Sequence, residues 1–165
     1  MAHPALNLEG AFLPRSDWSK AGLNNARFMK TNLAGSDFSG SVLNAADLRQ
    51  AVLIGANFEG AVLNHARLTD ADLTEARFLR SVLNNANMHG ACLKGAILAG
   101  AVMNNADLSC ATLEGADLRG AIINNADLSG ADLRGADLTG ALNLTRDQIE
   151  SAITDETTVL PVYLK

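Results

Sequence analysis

Apolar residues recur along this chain with a period of five. Stepping by five from Leu8, every residue through Leu138 is apolar; the series opens Leu8, Leu13, Trp18, Leu23, Phe28 and closes Ile123, Leu128, Leu133, Leu138. Two residues before each centre, from Ala11 to Ala136, only Ala, Ser or Thr occurs, the exceptions to Ala being Ser16, Thr31, Ser36, Ser41 and Ser81. Two residues after the centre Gly is frequent, as at Gly35, Gly40, Gly55, Gly60 and along Gly115 to Gly140. Neither a helix nor a long strand accommodates this pattern. At ~100° per residue a helix smears every fifth side chain around its surface, and a strand sends successive centres to opposite faces. A chain that turns through about 90° every five residues keeps centre and small residue inside and the other three positions outside, pairing stacked coils at the strand spacing.

A longer period tests the square. Ala21-Gly-Leu-Asn-Asn, Ser41-Val-Leu-Asn-Ala, Ala61-Val-Leu-Asn-His, Ser81-Val-Leu-Asn-Asn, Ala101-Val-Met-Asn-Asn and Ala121-Ile-Ile-Asn-Asn recur every 20 residues. Only a four-segment coil stacks them on one face. The expected architecture is an all-β solenoid of nearly seven 20-residue coils, a rod roughly 32 Å long at the strand spacing, with contacts confined to neighbouring coils. Gly after the centre suits a type II turn, which requires a positive φ there, and Asn at Asn25, Asn85, Asn105 and Asn125 tolerates the same conformation.

The period is predicted to break after Gly140. Thr145-Arg-Asp-Gln148 has the spacing of a capping box, Asp147 suits a helix N-terminus, and Ile149, Ala152 and Ile153 share a face. A short helix over about 146–153 is therefore expected to close the last coil. The chain reads as one domain, 1–165, with repeats over about 6–140 and a helix and tail over 141–165. In the tail, Leu160, Val162, Tyr163 and Leu164 can cover the core or meet a second copy as a homodimer contact. Met1 to Ala5 leave little to cap the other end.

Four intact copies of Ala-Asp-Leu-x-Gly, at Ala116, Ala126, Ala131 and Ala136, carry a resemblance to the pentapeptide-repeat family. The resemblance implies a right-handed quadrilateral β-helix, the handedness coming from the family alone. The best understood members of that family protect DNA gyrase from quinolones and are acidic, DNA-shaped rods that dimerise through their C-terminal ends. Some of those members carry projecting loops, and this chain has none between Leu8 and Leu138, so the resemblance is to loopless members.

Composition narrows the function classes. Lys plus Arg number 13 against 18 Asp plus Glu, a net charge of −5, which argues against a direct nucleic-acid binder. No apolar run of about 18 residues would span a membrane, no signal peptide is evident, and a cytoplasmic location is the simplest expectation. Cys92 and Cys110 are too few for a disulfide framework or a zinc cluster. His3, His65 and His89 have no partners at metal-ligand spacing. No catalytic residue, cofactor or metal is expected, and the chain reads as non-enzymatic.

Three surfaces remain as candidates. Val42, Val62, Val82, Val102 and Ile122 form an outward column that either reflects the strand preference of β-branched residues or docks a protein partner or a second copy of the chain. Beside it, Asn24 to Asn124 form a column suited to side-chain stacking. Asp107, Asp117, Asp127, Asp132 and Asp137 are either a solvated surface or an acidic surface imitating DNA. The leading expectation is a binding or scaffold solenoid with an unidentified protein partner; the alternative is a DNA-mimicking regulator of a type II topoisomerase such as gyrase, conferring quinolone protection.

Overall fold

The structure, a computed structural model, describes residues 6–164. Parallel pairing links each residue before a centre to its counterpart 20 residues on, from Asn7 with Arg27 through Ile122 with Leu142. Four segments per coil is therefore the observed geometry. Each side of the square pairs through one residue only, so the sheets are ladders of single bridges between turns rather than continuous strands. Three backbone bonds per segment tie a coil to the next. At the third coil, for example, Val62 N–H donates down to Ser41 O (2.9 Å), while Leu63 N–H donates up to Val82 O (2.7 Å) and His65 N–H to Asn84 O (3.0 Å).

Centres and small residues fill the interior, and from the second coil onward nearly all are fully buried. A small side chain is needed there because it leaves room for the neighbouring Leu or Phe. Where a hydroxyl replaces Ala it is satisfied locally: Ser41 Oγ donates to Phe38 O (2.7 Å), Ser81 Oγ to Phe78 O (2.9 Å) and Thr31 Oγ1 to Leu8 O (2.7 Å). These bonds remove the cost of burying a hydroxyl. One side of the core is aromatic. Phe38, Phe58 and Phe78 stack one per coil, with ring centroids 4.9 and 4.8 Å apart and planes within 6° and 2° of parallel. Trp18 continues the column below them, 6.3 Å from Phe38.

At nearly every corner the centre's carbonyl accepts from the N–H three residues on, as in Phe58 O from Ala61 N–H (3.0 Å). The residue two after the centre has positive φ throughout, the type II turn that the sequence predicts. The occupants differ from expectation. Besides Gly and Asn, the conformation is held by Arg15, Lys20, Lys30, Ala45, Gln50, His65, Asp70, Glu75, Arg80 and Cys110, with φ between 55° and 58°. Each of these residues donates its N–H to the next coil; Ala45 N–H, for example, reaches Asn64 O at 2.9 Å. The ladder thus overrides the local preference against positive φ.

The C-terminal end corrects two expectations. Helix α1 covers Arg146–Ser151, shorter than the 146–153 read from the sequence, because Ala152 has extended backbone. Its capping box is present, with Thr145 as N-cap. The tail then re-enters the ladder instead of leaving it: Ile153 pairs with Asp132 and Val159 with Asp137. The final coil is therefore a distorted continuation of the solenoid, lengthened by α1 and its flanking turns.

Candidate interaction surface

Outward side chains belong to four faces, each a stack of one segment per coil. The first face carries Gly22, Val42, Val62, Val82, Val102 and Ile122 in bridge register, and Leu142 continues it one coil further. The valines and Ile122 are half-buried against their neighbours, whereas Leu142 is 50% exposed. Sequence reasoning stopped the column at Ile122 because the pentapeptide pattern fails at Asn143, which itself takes positive φ. An apolar residue 20 after Ile122 was the signal that could have found Leu142.

Beside the column the Asn side chains bond along the stack. Asn44 N–H donates to Asn24 Oδ1 (3.1 Å), Asn64 N–H to Asn44 Oδ1 (3.2 Å), and both Asn104 N–H and Nδ2 to Asn84 Oδ1 (3.2 and 3.0 Å). The chain of bonds is interrupted between Asn64 and Asn84, where the buried Asn64 Oδ1 accepts nothing.

The tail divides in two. Leu160 and Leu164 pack against the core, while Val162 is 81% and Tyr163 54% exposed. Tyr163 Oη donates to Ala141 O (2.8 Å) and accepts from Leu144 N–H (3.2 Å), which holds its ring beside the segment carrying Leu142. The column and the tail, separate in sequence, thus meet at the upper end of the first face. Gln148 secures this end from within: its Nε2 donates to Ala126 O (2.7 Å) and Ile123 O (3.2 Å), carbonyls of the coil below. The sequence marks Gln148 as a capping residue of its helix but gives no sign of this second role.

The five aspartates are not gathered on one side. Asp107 and Asp127 stack on the second face, Asp132 lies on the third, and Asp117 and Asp137 stack on the fourth. Each accepts the backbone N–H two residues on, which pins the turn (2.9–3.2 Å). Arg119 pairs with Asp117 at 2.7 Å and Arg134 with Asp132 at 2.6 Å. These guanidinium hydrogen bonds hold both carboxyls below the ordinary carboxylate range; for Asp127 the Ser129 hydroxyl does so.

Cys92 is half-buried and Cys110 exposed, both free thiols. His89 Nδ1 meets Ser109 Oγ at 2.8 Å, and His65 occupies a turn position among the Asn side chains; His3 lies outside the described residues. Among the described residues no three His, Cys, Asp or Glu side chains gather as metal ligands, and no helix is long and apolar enough to cross a membrane. An open groove of about 240 Å³ on the third face is lined by Glu114, Gly115, Arg134, Gly135, Asp155 and Thr157.

The family model for pentapeptide repeats matches in overlapping copies that run from residue 6 to residue 145. The chain belongs to the pentapeptide repeat family. Proteins of this family fold as right-handed quadrilateral β-helices, and the four-sided coil described above is that architecture. Family members are generally non-catalytic structural or interaction proteins. Among curated proteins, none matches the chain in sequence. Several solved pentapeptide repeat structures are similar. A trypsin-treated form of QnrB1, a plasmid-mediated fluoroquinolone resistance protein, is 22% identical over 95% of this chain and 83% of its own, with a TM-score of 0.48. HetL of Nostoc sp. strain PCC 7120, involved in heterocyst differentiation regulation, is 26% identical over 94% of this chain and 92% of its own, with a TM-score of 0.34. A thylakoid-lumen protein of Arabidopsis thaliana is 30% identical over 71% and 70%, with a TM-score of 0.37.

Proposed function

We propose that this pentapeptide repeat protein is a non-enzymatic binding solenoid whose protein partner docks on the first face. The observation that carries the reading is the continuous apolar line from Val42 to Leu142, joined at its upper end by Tyr163. A rod interior filled by Leu, Phe and Ala leaves no internal site for a small substrate, so recognition falls to the outside. A flat, apolar strip edged by Asn amides offers burial in the middle and hydrogen bonding at the rim, the usual composition of a protein interface. The test is crosslinking in the producing cell, comparing the wild type with Val82→Lys. Loss of specific crosslinked proteins in a variant that keeps its circular dichroism supports the reading; an unchanged set removes this face as the docking surface.

A DNA-mimicking role at a type II topoisomerase is the second reading, favoured by one feature. Residues 1–85 carry eight basic and eight acidic side chains, and residues 86–165 carry five and ten, so the whole excess of negative charge lies in the later coils. The arginine pairs and the spread of the five aspartates over three faces dilute that field. A gyrase supercoiling assay with and without a fluoroquinolone decides it. Inhibition or protection at low micromolar protein supports mimicry, and no effect at tens of micromolar eliminates it.

A further inference from the structure

Among the described residues, the repeat segments that build the first face carry no charged side chain. Segments 21–25, 41–45, 61–65, 81–85, 101–105 and 121–125 contain no Asp, Glu, Lys or Arg, although the chain carries 31 such residues and the other three faces all have them. An ordinary solvated face of this size would hold about a fifth of its residues charged, as the chain does on average (19%). Charge depletion around an apolar centre distinguishes the core of an interface from the rest of a protein surface.

Resting on the binding reading above, we infer that the occupant of this face is a second copy of the chain, set antiparallel. Two chains of net charge −5 repel wherever charged faces meet, and the first face is where they can approach without that cost. Direction follows from the uneven charge along the rod. A parallel pair would align the two acidic halves. An antiparallel pair sets each acidic end, where Asp147, Glu150, Asp155 and Glu156 outnumber Arg146, over the partner's first coils, where Arg15, Lys20, Arg27 and Lys30 outnumber Glu9, Asp17 and Asp37. The contact is isologous, column on column, and closes on itself, so it yields a dimer and no filament. One rod face is a small interface, so monomer and dimer should exchange at micromolar concentrations.

Sedimentation equilibrium on the full chain tests this, with Val82→Lys on the first face, Val52→Lys on the third as a folding control, and Val162→Asp in the tail. The expected result is a wild-type dimer weakened at least tenfold by Val82→Lys and unchanged by Val52→Lys. Orientation is read by mixing Asn25→Cys and Asn125→Cys chains in a Cys92→Ser, Cys110→Ser background: antiparallel pairing joins unlike chains, and parallel pairing joins like ones. A protein that stays monomeric at several hundred micromolar overturns the inference, as does a dimer lost in Val162→Asp but kept in Val82→Lys, or like-chain crosslinks. If the protein is monomeric while Val82→Lys still loses crosslinked cellular proteins, only the second-copy assignment fails and the binding reading stands.

Discussion

The two halves of the rod build the same coil from different materials. From Gly10 to Asn85, eleven of the sixteen positive-φ turn positions carry a side chain; from Gly90 to Gly140 only three of eleven do. The first half also holds the Trp18–Phe38–Phe58–Phe78 column, whereas the corresponding positions in the second half are Leu98, Leu118 and Leu138. Strained turns accompany an aromatic core, and relaxed turns an aliphatic one. A positive φ costs a non-glycine residue about 1 kcal/mol or more, and stacked rings contribute about 0.5–1.5 kcal/mol beyond their buried area. The difference teaches that the coil is fixed by the ladder and the core together, and that either half can draw more heavily on one of them.

Core truncations should separate the halves most clearly. Phe58→Ala is expected to cost about 3–5 kcal/mol, and Leu118→Ala about 2–4 kcal/mol, measured by urea unfolding; equal losses would show that the ring stack adds nothing beyond volume. Next in size is the cap. Gln148→Ala leaves Ala126 O and Ile123 O without their side-chain donor and should cost about 1–3 kcal/mol. Amide hydrogen exchange should accelerate in the last two coils and stay unchanged in the aromatic ones; uniform acceleration would contradict nearest-neighbour coupling. Turn swaps are smaller and opposite in sign. Ala45→Gly should stabilise by up to about 1 kcal/mol, while Gly120→Ala, whose added methyl would meet nothing within 4 Å, should destabilise by about 1 kcal/mol through backbone strain alone.

The smallest effect is acid sensitivity. Asp117, Asp127, Asp132 and Asp155 in the second half, and Asp17 and Asp47 in the first, are held below the ordinary carboxylate value by hydrogen bonds at their turns. A depressed folded value means that the stabilisation is present above the unfolded value near pH 4 and is lost as pH falls through the folded values. Exchange protection followed from pH 6 to pH 2 should therefore weaken more in the second half. Equal weakening would show that the exposed pairs, screened by solvent, contribute nothing.

Most of the fold was legible because its determinants are local and periodic. The buried positions, the four-sided coil, the turn type and the Thr145–Gln148 box all follow from residue spacing. What escaped depended on cooperation across coils. Arg15 or Glu75 in a left-handed conformation is unfavourable by local preference, and only the bond to the next coil makes it acceptable. The return of Ile153 and Val159 to the ladder was hidden because α1 and its turns lengthen the spacing beyond 20. Of the candidate surface, the sequence places Val42 to Ile122 correctly on one face. It cannot show that Tyr163 folds back to the same face, since that rests on a hydroxyl bonded to backbone at Ala141 and Leu144.

The bridge register of 20 residues also sets how such a gene can change length. Duplicating or deleting one whole coil, sixty nucleotides, returns every later residue to its own face and leaves both ends intact. Duplicating a single pentapeptide is just as easy for the reading frame and equally kind to the core, yet it rotates everything downstream by a quarter turn. The valine column would then be cut, with its upper part facing a different direction. Length in this lineage can therefore drift freely in steps of a coil, while steps of one repeat are visible to selection whenever a face is in use.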